Sequence, residues 1–315
     1  PTAAPRTTAS TTSTRPSPLP PSRLEVTRLR DANAADPADA VLRSVEFHPS
    51  SPLLLTASLD RTLRLFRVDG ASNPKLQGVH FEDMPISRAA FAGSTHVVCS
   101  GRRPFFYVYD MQAAAAERVG PVAGVTDRSL ETFALSRDGR TMATLGSGGV
   151  VNLLNLRTRS LAGSLRMSGT ARSLCFSADG ERLMAAGGDG AVLTWDLRTR
   201  RVLGRAVDEG SSGATALAAS PDGAHYATGG EAGVVNLYED PYGPGGAAGP
   251  APARSFMNLT TTVDTLAFSA DGSVLGVREL TLPGKKPTNA KSFWNGLNKR
   301  VAKWVGADEV EQPAE

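Results

Sequence analysis

From Leu24 onward, short apolar runs alternate with turns rich in Gly, Asp and Ser. This is the pattern of short strands joined by tight reversals rather than of amphipathic helices. The runs recur. "DRTLRLFR" places Phe66 near its end, "RPFFYVYD" places Tyr109, "SGGVVNLLN" Leu154, "DGAVLTWD" Trp195 and "AGVVNLYE" Tyr238, so successive slots lie 43, 45, 41 and 43 residues apart. A second element leads each slot by roughly twenty residues: "VEFHPSS", "AAFAGST", "FALSRDG", "LCFSADG", "LAASPDG" and, a sixth time, "LAFSADG". A fixed period in the low forties with four strands' worth of pattern predicts an all-β propeller, with five clear blades and the leading half of a sixth.

The local chemistry fits that reading. In "SADG", Asp179 and Gly180 form a tight turn, repeated at Asp222-Gly223 and Asp271-Gly272. The run "RLMAAGG" that follows is continuous and small or apolar, as expected of a strand covered on both faces. In the last run of the first blade, Leu63 and Leu65 face one way and Arg64 and Phe66 the other. Asp60 and Asp189 are therefore expected in turns. Phe66, Tyr109, Leu154, Trp195 and Tyr238 are expected as packing residues between blades.

Composition changes at both ends. Residues 1–23 are Thr, Ser, Pro and Ala with three arginines and no acid, too polar to offset ordering entropy, and read as a disordered linker or a transit-peptide remnant. The chain opens on Pro1 rather than Met, an expectation of further sequence upstream. The propeller is assigned to 24–280. Residues 240–255, "DPYGPGGAAGPAPARS", read as a surface loop inside it. Residues 281–315 form a divergent tail, basic and then acidic. Within it Phe293, Trp294, Leu297, Val301, Trp304 and Val305 fall near one helical face, weakened by Asn295 and Gly296. Three readings stand for the tail: the product of an altered 3′ exon, a helix that docks on a partner or RNA, and a membrane-surface helix.

Net charge is +3, compatible with a nucleic-acid neighbour without demanding one. Cys99 and Cys175 sit in apolar runs and are expected as reduced core thiols. None of the four histidines has a second His or a Cys at metal-ligand spacing, and His48 reads as structural in its "FHP" turn. No nucleophile elbow or phosphate-cradling loop occurs, so no enzyme, cofactor or metal is expected, and no small-molecule substrate. No run approaches the length of a bilayer span, and no membrane association is assigned to the propeller. Asn258-Leu259-Thr260 formally matches a glycosylation acceptor and is expected unmodified. The non-strand basic residues Lys75, Arg88, Arg102 and Arg103 are the candidate partner or RNA contacts.

Taken together, the blades resemble the WD-repeat family. Only Trp195-Asp196 ends a repeat in the literal dipeptide, and the Gly-His that opens a family repeat is absent. That absence implies an incomplete inter-strand hydrogen-bond network. The stretch from Thr27 to Ile86, with "RDAN" and "VDGASNPK", is similar to a family of nucleolar WD-repeat proteins associated with the U3 small nucleolar RNA, as are "FFYVYDM" and "FMNLTTTVDTLAFSADG". The resemblance covers about Leu24 to Val277. It implies a seven-bladed ring and a non-catalytic scaffold in the UTP-B subcomplex of the small-subunit processome. It further implies other UTP-B propeller proteins, the U3 ribonucleoprotein and pre-rRNA as partners, a role in pre-rRNA processing and a nucleolar location. After Val277 the sequence departs from the family, so the sixth blade and ring closure are left incomplete. The family also carries a Leu-Phe-x-x-Asp peptide that recruits an exosome-associated helicase. Here "LFRVD" at 65–69 matches it but falls on a packing slot and is assigned to the core. The alternative function is that of another WD-repeat adaptor, such as a ubiquitin-ligase substrate receptor, sharing the fold alone.

Overall fold

A computed structural model describes residues 29–208, 213–244, 251–257, 262–269, 272 and 275–277, with the backbone of 279–281 and 288–289. The 1–23 segment, Asn258, Asp271 and the amphipathic stretch of the tail lie outside the described residues.

Five four-stranded antiparallel sheets follow one another along the chain. The first holds β1 (Leu42–Phe47), β2 (Leu53–Ser58), β3 (Thr62–Arg67) and β4 (Lys75–His80). The second holds β5 (Arg88–Ala92), β6 (His96–Ser100), β7 (Phe106–Asp110) and β8 (Ala115–Val119). The third holds β9 (Phe133–Leu135), β10 (Thr141–Leu145), β11 (Val150–Asn155) and β12 (Ser160–Arg166). The fourth holds β13 (Ala171–Phe176), β14 (Arg182–Gly187), β15 (Ala191–Asp196) and β16 (Arg201–Val207). The fifth holds β17 (Ala214–Ala219), β18 (His225–Gly230), β19 (Val235–Glu239) and β20 (Arg254–Phe256), so the 240–255 loop already ends in a strand. Beyond it, β21 (Thr262–Val263) pairs with β24 (Glu279–Thr281), which pairs with β25 (Thr288–Asn289), while β22 (Leu266–Phe268) pairs with β23 (Leu275–Val277). Extended structure thus continues past residue 280.

Within each four-stranded sheet the strands pair in chain order, apart from the reversed direction in which a sheet is written. Each sheet's first strand packs on that of the next: β1 on β5, β5 on β9, β9 on β13, β13 on β17, and β17 on β22. This is a WD-type β-propeller. The middle strands are covered on both faces and the fourth strands are largely exposed, as in β14 against β16.

The core is a series of layers between consecutive sheets. Leu63 and Leu65 of the first sheet meet Met84, Phe91 and Tyr109. Val98 and Phe106 meet Phe133 and Leu154; Val151 and Leu153 meet Leu183 and Trp195; Met184 and Val192 meet Tyr226 and Tyr238. A last layer joins Ala216 and Val235 to Val263 and Leu266.

The first-to-second-strand turns of the third, fourth and fifth sheets share one construction. In "SxDG" the Ser hydroxyl donates to the Asp two residues on, at Ser136–Asp138, Ser177–Asp179 and Ser220–Asp222. The same carboxylate accepts the backbone N–H two residues further, from Arg140, Glu181 and Ala224. The Gly takes a left-handed conformation, φ +68° at Gly139 and +73° at Gly180, where a side chain would be strained.

At the rim, the turn before each fourth strand reaches back to the preceding sheet. Arg159 pairs with Glu117 of β8 at 2.7 Å, and Arg200 Nη2 donates to the Ala162 carbonyl of β12 at 2.6 Å. Tyr242 lies against Gly204 of β16. The opposite side of β1 differs: Val45 and Phe47 are 40% and 66% exposed, while the Ser44 hydroxyl accepts the Ala89 N–H of β5.

Candidate interaction surface

The slot residues Phe66, Tyr109, Leu154, Trp195 and Tyr238 all lie on third strands and are all buried. Tyr109, Leu154, Trp195 and Tyr238 each face the preceding sheet. Phe66 is fully buried on the side of its sheet away from Leu63 and Leu65, and Leu65 beside it is 3% exposed. The "LFRVD" segment therefore presents neither anchor to a partner.

Asp60 sits in the turn between β2 and β3. It accepts hydrogen bonds from the Ser58 hydroxyl, the Thr62 N–H at 2.9 Å and Arg64 Nη1 at 2.8 Å. Burial opposes its charge, but the Ser58 and Arg64 bonds outweigh that and hold its carboxyl below the usual range. Asp189 occupies the matching turn of the fourth sheet, accepting the Ala191 N–H at 3.1 Å and pairing with Arg205. Asp196 closes the turn into β16, taking the Thr199 hydroxyl at 2.9 Å and the Arg198 N–H at 2.8 Å.

The expectation of an incomplete inter-strand network holds only in part: the buried Thr56, Ser100 and Thr144 hydroxyls have no hydrogen-bond partner among the described residues, but another acceptor partly fills the role. In four sheets an aspartate just ahead of the first strand reaches the third strand, two residues before the slot. Asp36 pairs with Arg64 Nε at 3.1 Å and with Lys75; Asp83 accepts the Tyr107 hydroxyl at 2.9 Å. Asp127 accepts Asn152 Nδ2 at 3.0 Å. Asp208, itself buried, takes three bonds on Oδ1: Thr228 Oγ1 at 2.7 Å, Asn236 Nδ2 at 2.9 Å and Tyr238 OH at 2.8 Å. An acceptor supplied by the inter-sheet connection replaces a histidine, because each third strand here offers a donor in return. Sequence reasoning missed these acids: acid and partner are 24 to 28 residues apart, so no local pattern joins them. The available signal was an acid placed a few residues ahead of each first strand in "AADPAD", "FEDMPIS", "VTDRS" and "VDEGS".

The two segments that carry the nucleolar resemblance meet. In "VDGASNPK", Asp69 Oδ1 accepts the N–H groups of Ala71, Ser72 and Asn73, while Asn73 Oδ1 accepts those of Asp69 and Gly70. The buried Asn73 then donates Nδ2 to the Arg30 carbonyl of "RDAN" at 3.2 Å. The loop is a self-closed clamp on the segment before the propeller.

The four basic candidates do not converge. Lys75 and Arg88 were expected outside strands; instead they begin β4 and β5. The reason is local. Pro74 has no N–H to give, but its carbonyl already accepts the Arg67 N–H of β3, so pairing continues with Lys75, and Ser87 already bonds back to Ser100, placing Arg88 in register. Lys75 is bound to Asp36, and Arg88 lies over the Phe133 ring at 5.5 Å. Arg102 and Arg103 occupy an exposed bend; Arg102 pairs with Glu131 at 2.8 Å and Arg103 donates to the Asp83 carbonyl at 3.3 Å.

Glu46, half-buried between β1 and β5, accepts the Phe91 N–H at 3.3 Å, and burial pushes its carboxyl up to about 7. A shallow cleft of about 650 Å³ is lined by Asp127, Arg128, Ser147 and Arg172 among others. Both cysteines are free thiols, and burial pushes both pKa values up, so neither is poised as a nucleophile. His48 accepts the Ser50 N–H at Nδ1, contacts the Ser94 carbonyl at 3.1 Å and stacks edge-on to Phe91, which ties the first two sheets together. Among the described residues no group of three His, Cys, Asp or Glu side chains is placed to hold a metal, and no helix is long and apolar enough to cross a membrane.

Comparison with known proteins gives two results. The WD domain, G-beta repeat family matches residues 36–67 and 158–196. The U3 small nucleolar RNA-associated protein 18 homolog of Arabidopsis thaliana is 43% identical over 256 residues, covering 81% of this chain and 46% of the relative. The human homolog is 35% identical over 261 residues, covering 82% and 47%. The U3 small nucleolar RNA-associated protein 18 of Saccharomyces cerevisiae is 29% identical, covering 82% and 51%. The chain spans about half the length of the curated relatives it matches.

Proposed function

Because this chain belongs to the WD-repeat proteins and is homologous to the U3 small nucleolar RNA-associated protein 18 group, we propose that it is a scaffold of ribosome biogenesis. It joins the U3 small nucleolar ribonucleoprotein and pre-rRNA in the small-subunit processome, alongside other propeller proteins of the UTP-B subcomplex, in the nucleolus. There it supports pre-rRNA processing and maturation of the small-subunit rRNA, holding components together rather than transforming one. The observation that carries this reading is the 43% identity spread over 81% of the chain, far more than generic repeat packing requires. The Asn73 clamp on Arg30 adds to it, since neither "VDGASNPK" nor "RDAN" is needed to build a blade.

The polar side chains that might suggest chemistry are consumed in structure. Asp60, Asp127 and Asp208 brace third strands, and Asp138, Asp179 and Asp222 close turns. The test is affinity purification of the tagged protein from its own cells, reading proteins and RNA together. Recovery of U3 RNA, pre-rRNA and other propeller subunits is the expected result. Recovery of ubiquitin-ligase subunits without U3 RNA would instead move the protein to the adaptor class.

A further inference from the structure

The strands of each sheet alternate in direction, so the first-to-second and third-to-fourth turns share one end of the propeller. At that end the third and fourth sheets carry the same turn sequence. "LRTR" occurs at Leu156–Arg159 and again at Leu197–Arg200, followed by Arg201. Arg137, in the Ser136–Gly139 turn, adds to the row. Arg159 and Arg200 reach back to the preceding sheets, and the Arg200 bond to Ala162 fixes the two turns side by side.

Arg137, Arg157, Arg198 and Arg201 are different. All four are exposed, and among the described residues none has a carboxylate within ion-pair distance, although Arg198 lies near enough to Asp196 to help hold its carboxyl down. Of the acids at this end, Asp138 is committed to Ser136 and the Arg140 N–H, Asp179 to Ser177 and the Glu181 N–H, and Asp196 to Thr199 and the Arg198 N–H, while the exposed Glu181 lies beside the second turn, its carbonyl accepting the Leu197 N–H. In the third sheet the Asp196 position is the neutral Asn155. The matching turns of the second and fifth sheets hold Asp110, Asp222, Glu239 and Asp240 and no Lys or Arg among the described residues. At the opposite end Arg102 pairs with Glu131, Arg118 with Asp83, Arg172 with Glu231 and Arg205 with Asp189, while Arg61 and Arg103 donate to backbone carbonyls and the exposed Arg128 and Arg166 have no carboxylate within ion-pair distance among the described residues.

We propose that this arginine row, on the paired "LRTR" turns of the third and fourth sheets, is a binding surface for the phosphate backbone of RNA. Guanidinium forks suit phosphate oxygens, and contacts to phosphate hold a nucleic acid without reading its bases. The expected binding is therefore independent of sequence and steep in salt. The choice of RNA as the polyanion rests on the proposed function; the row itself rests on geometry alone.

The experiment measures binding of a short fluorescent single-stranded RNA to the whole chain by anisotropy, across a salt series. The variant Arg157→Gln/Arg198→Gln/Arg201→Gln keeps length and polarity and removes three charges. Arg102→Gln/Arg103→Gln, at the opposite end, is the comparison, and thermal unfolding checks that both are folded. The triple variant is expected to bind about tenfold more weakly, with the slope of log affinity against log salt reduced by about 2, while the double variant changes little. Wild-type protein that shows no salt-dependent binding overturns the proposal. So does a triple variant within about twofold of wild type, or a double variant with the larger loss. If U3 RNA co-purifies from cells and the triple variant still binds as wild type, this surface fails while the scaffold function stands.

Discussion

Asp208→Ala should be among the most damaging single substitutions in the fifth sheet. The carboxylate is buried, and Thr228, Asn236 and Tyr238 all donate to its Oδ1 from buried positions. Truncation removes that acceptor from three donors at once. Each buried donor deprived of its acceptor costs about 1–3 kcal/mol, and partial relaxation or an entering water recovers part of the sum, giving about 3–5 kcal/mol. Asp208→Asn is the informative comparison. Its amide oxygen keeps an acceptor at the Oδ1 position, while its NH₂ brings a donor to a buried position where Asp208 Oδ2 has no hydrogen-bond partner among the described residues. The charge assistance is lost and the new donor goes unpaired, together about 2–3 kcal/mol and still less than for alanine. Urea unfolding followed by far-ultraviolet circular dichroism measures both, with stability compared at unchanged m-value. A loss below about 1 kcal/mol for the alanine variant would refute the bracing role. Equal damage from Asn and Ala would refute the claim that the acceptor, more than the charge, is what the sheet uses.

Other predictions follow from the same geometry. Trp195→Ala removes a side chain that is 2% exposed and fills the layer between the third and fourth sheets, so thermal unfolding should report a loss of about 3–5 kcal/mol. Gly139 and Gly180 have the same left-handed φ, but a Cβ at Gly139 would lie 2.5 Å from the Gly93 backbone, whereas Gly180 faces open space. Gly180→Ala should cost about 1 kcal/mol and Gly139→Ala clearly more, and equal costs in denaturant melts would contradict the close approach. Glu46 has a folded pKa raised to about 7 from 4.5, so the native state holds its proton more tightly than the unfolded chain. Stability at this site is therefore lost as pH rises from about 4.5 through 7, on the order of 3 kcal/mol. Glu46→Gln should flatten that part of the stability–pH curve, and an unchanged curve would remove the assignment.

What could be read in the sequence was whatever repeats. The slot spacing of Phe66, Tyr109, Leu154, Trp195 and Tyr238 carries the propeller, because the layers between sheets need one large side chain per period. The "SxDG" turns were legible for the same reason: the Ser–Asp bond and the left-handed Gly are contained within four residues. Pairings across a whole sheet were not. Asp83 and Tyr107, or Asp127 and Asn152, are brought together by topology, and the absence of Gly-His gave no hint that an aspartate takes its place in four of the sheets. Lys75 and Arg88 illustrate a boundary error. Each is the first residue of its strand, where a charged residue next to Pro74 or Ser87 looks like loop until the ladder is seen. The arginine row was invisible for a related reason. "LRTR" is unremarkable once, and only the alternation of strand directions puts both copies, with Arg137, at one end.

The central claim is that this propeller serves the making of the small ribosomal subunit. Its most direct test is depletion of the protein in its own cells, with pulse-labelling of RNA and hybridisation probes across the pre-rRNA. The account predicts that small-subunit rRNA synthesis falls, unprocessed precursor accumulates and large-subunit rRNA is largely spared, with all three restored by re-expressing the protein. Unchanged processing after effective depletion, or an equal loss of both subunit rRNAs, would contradict it.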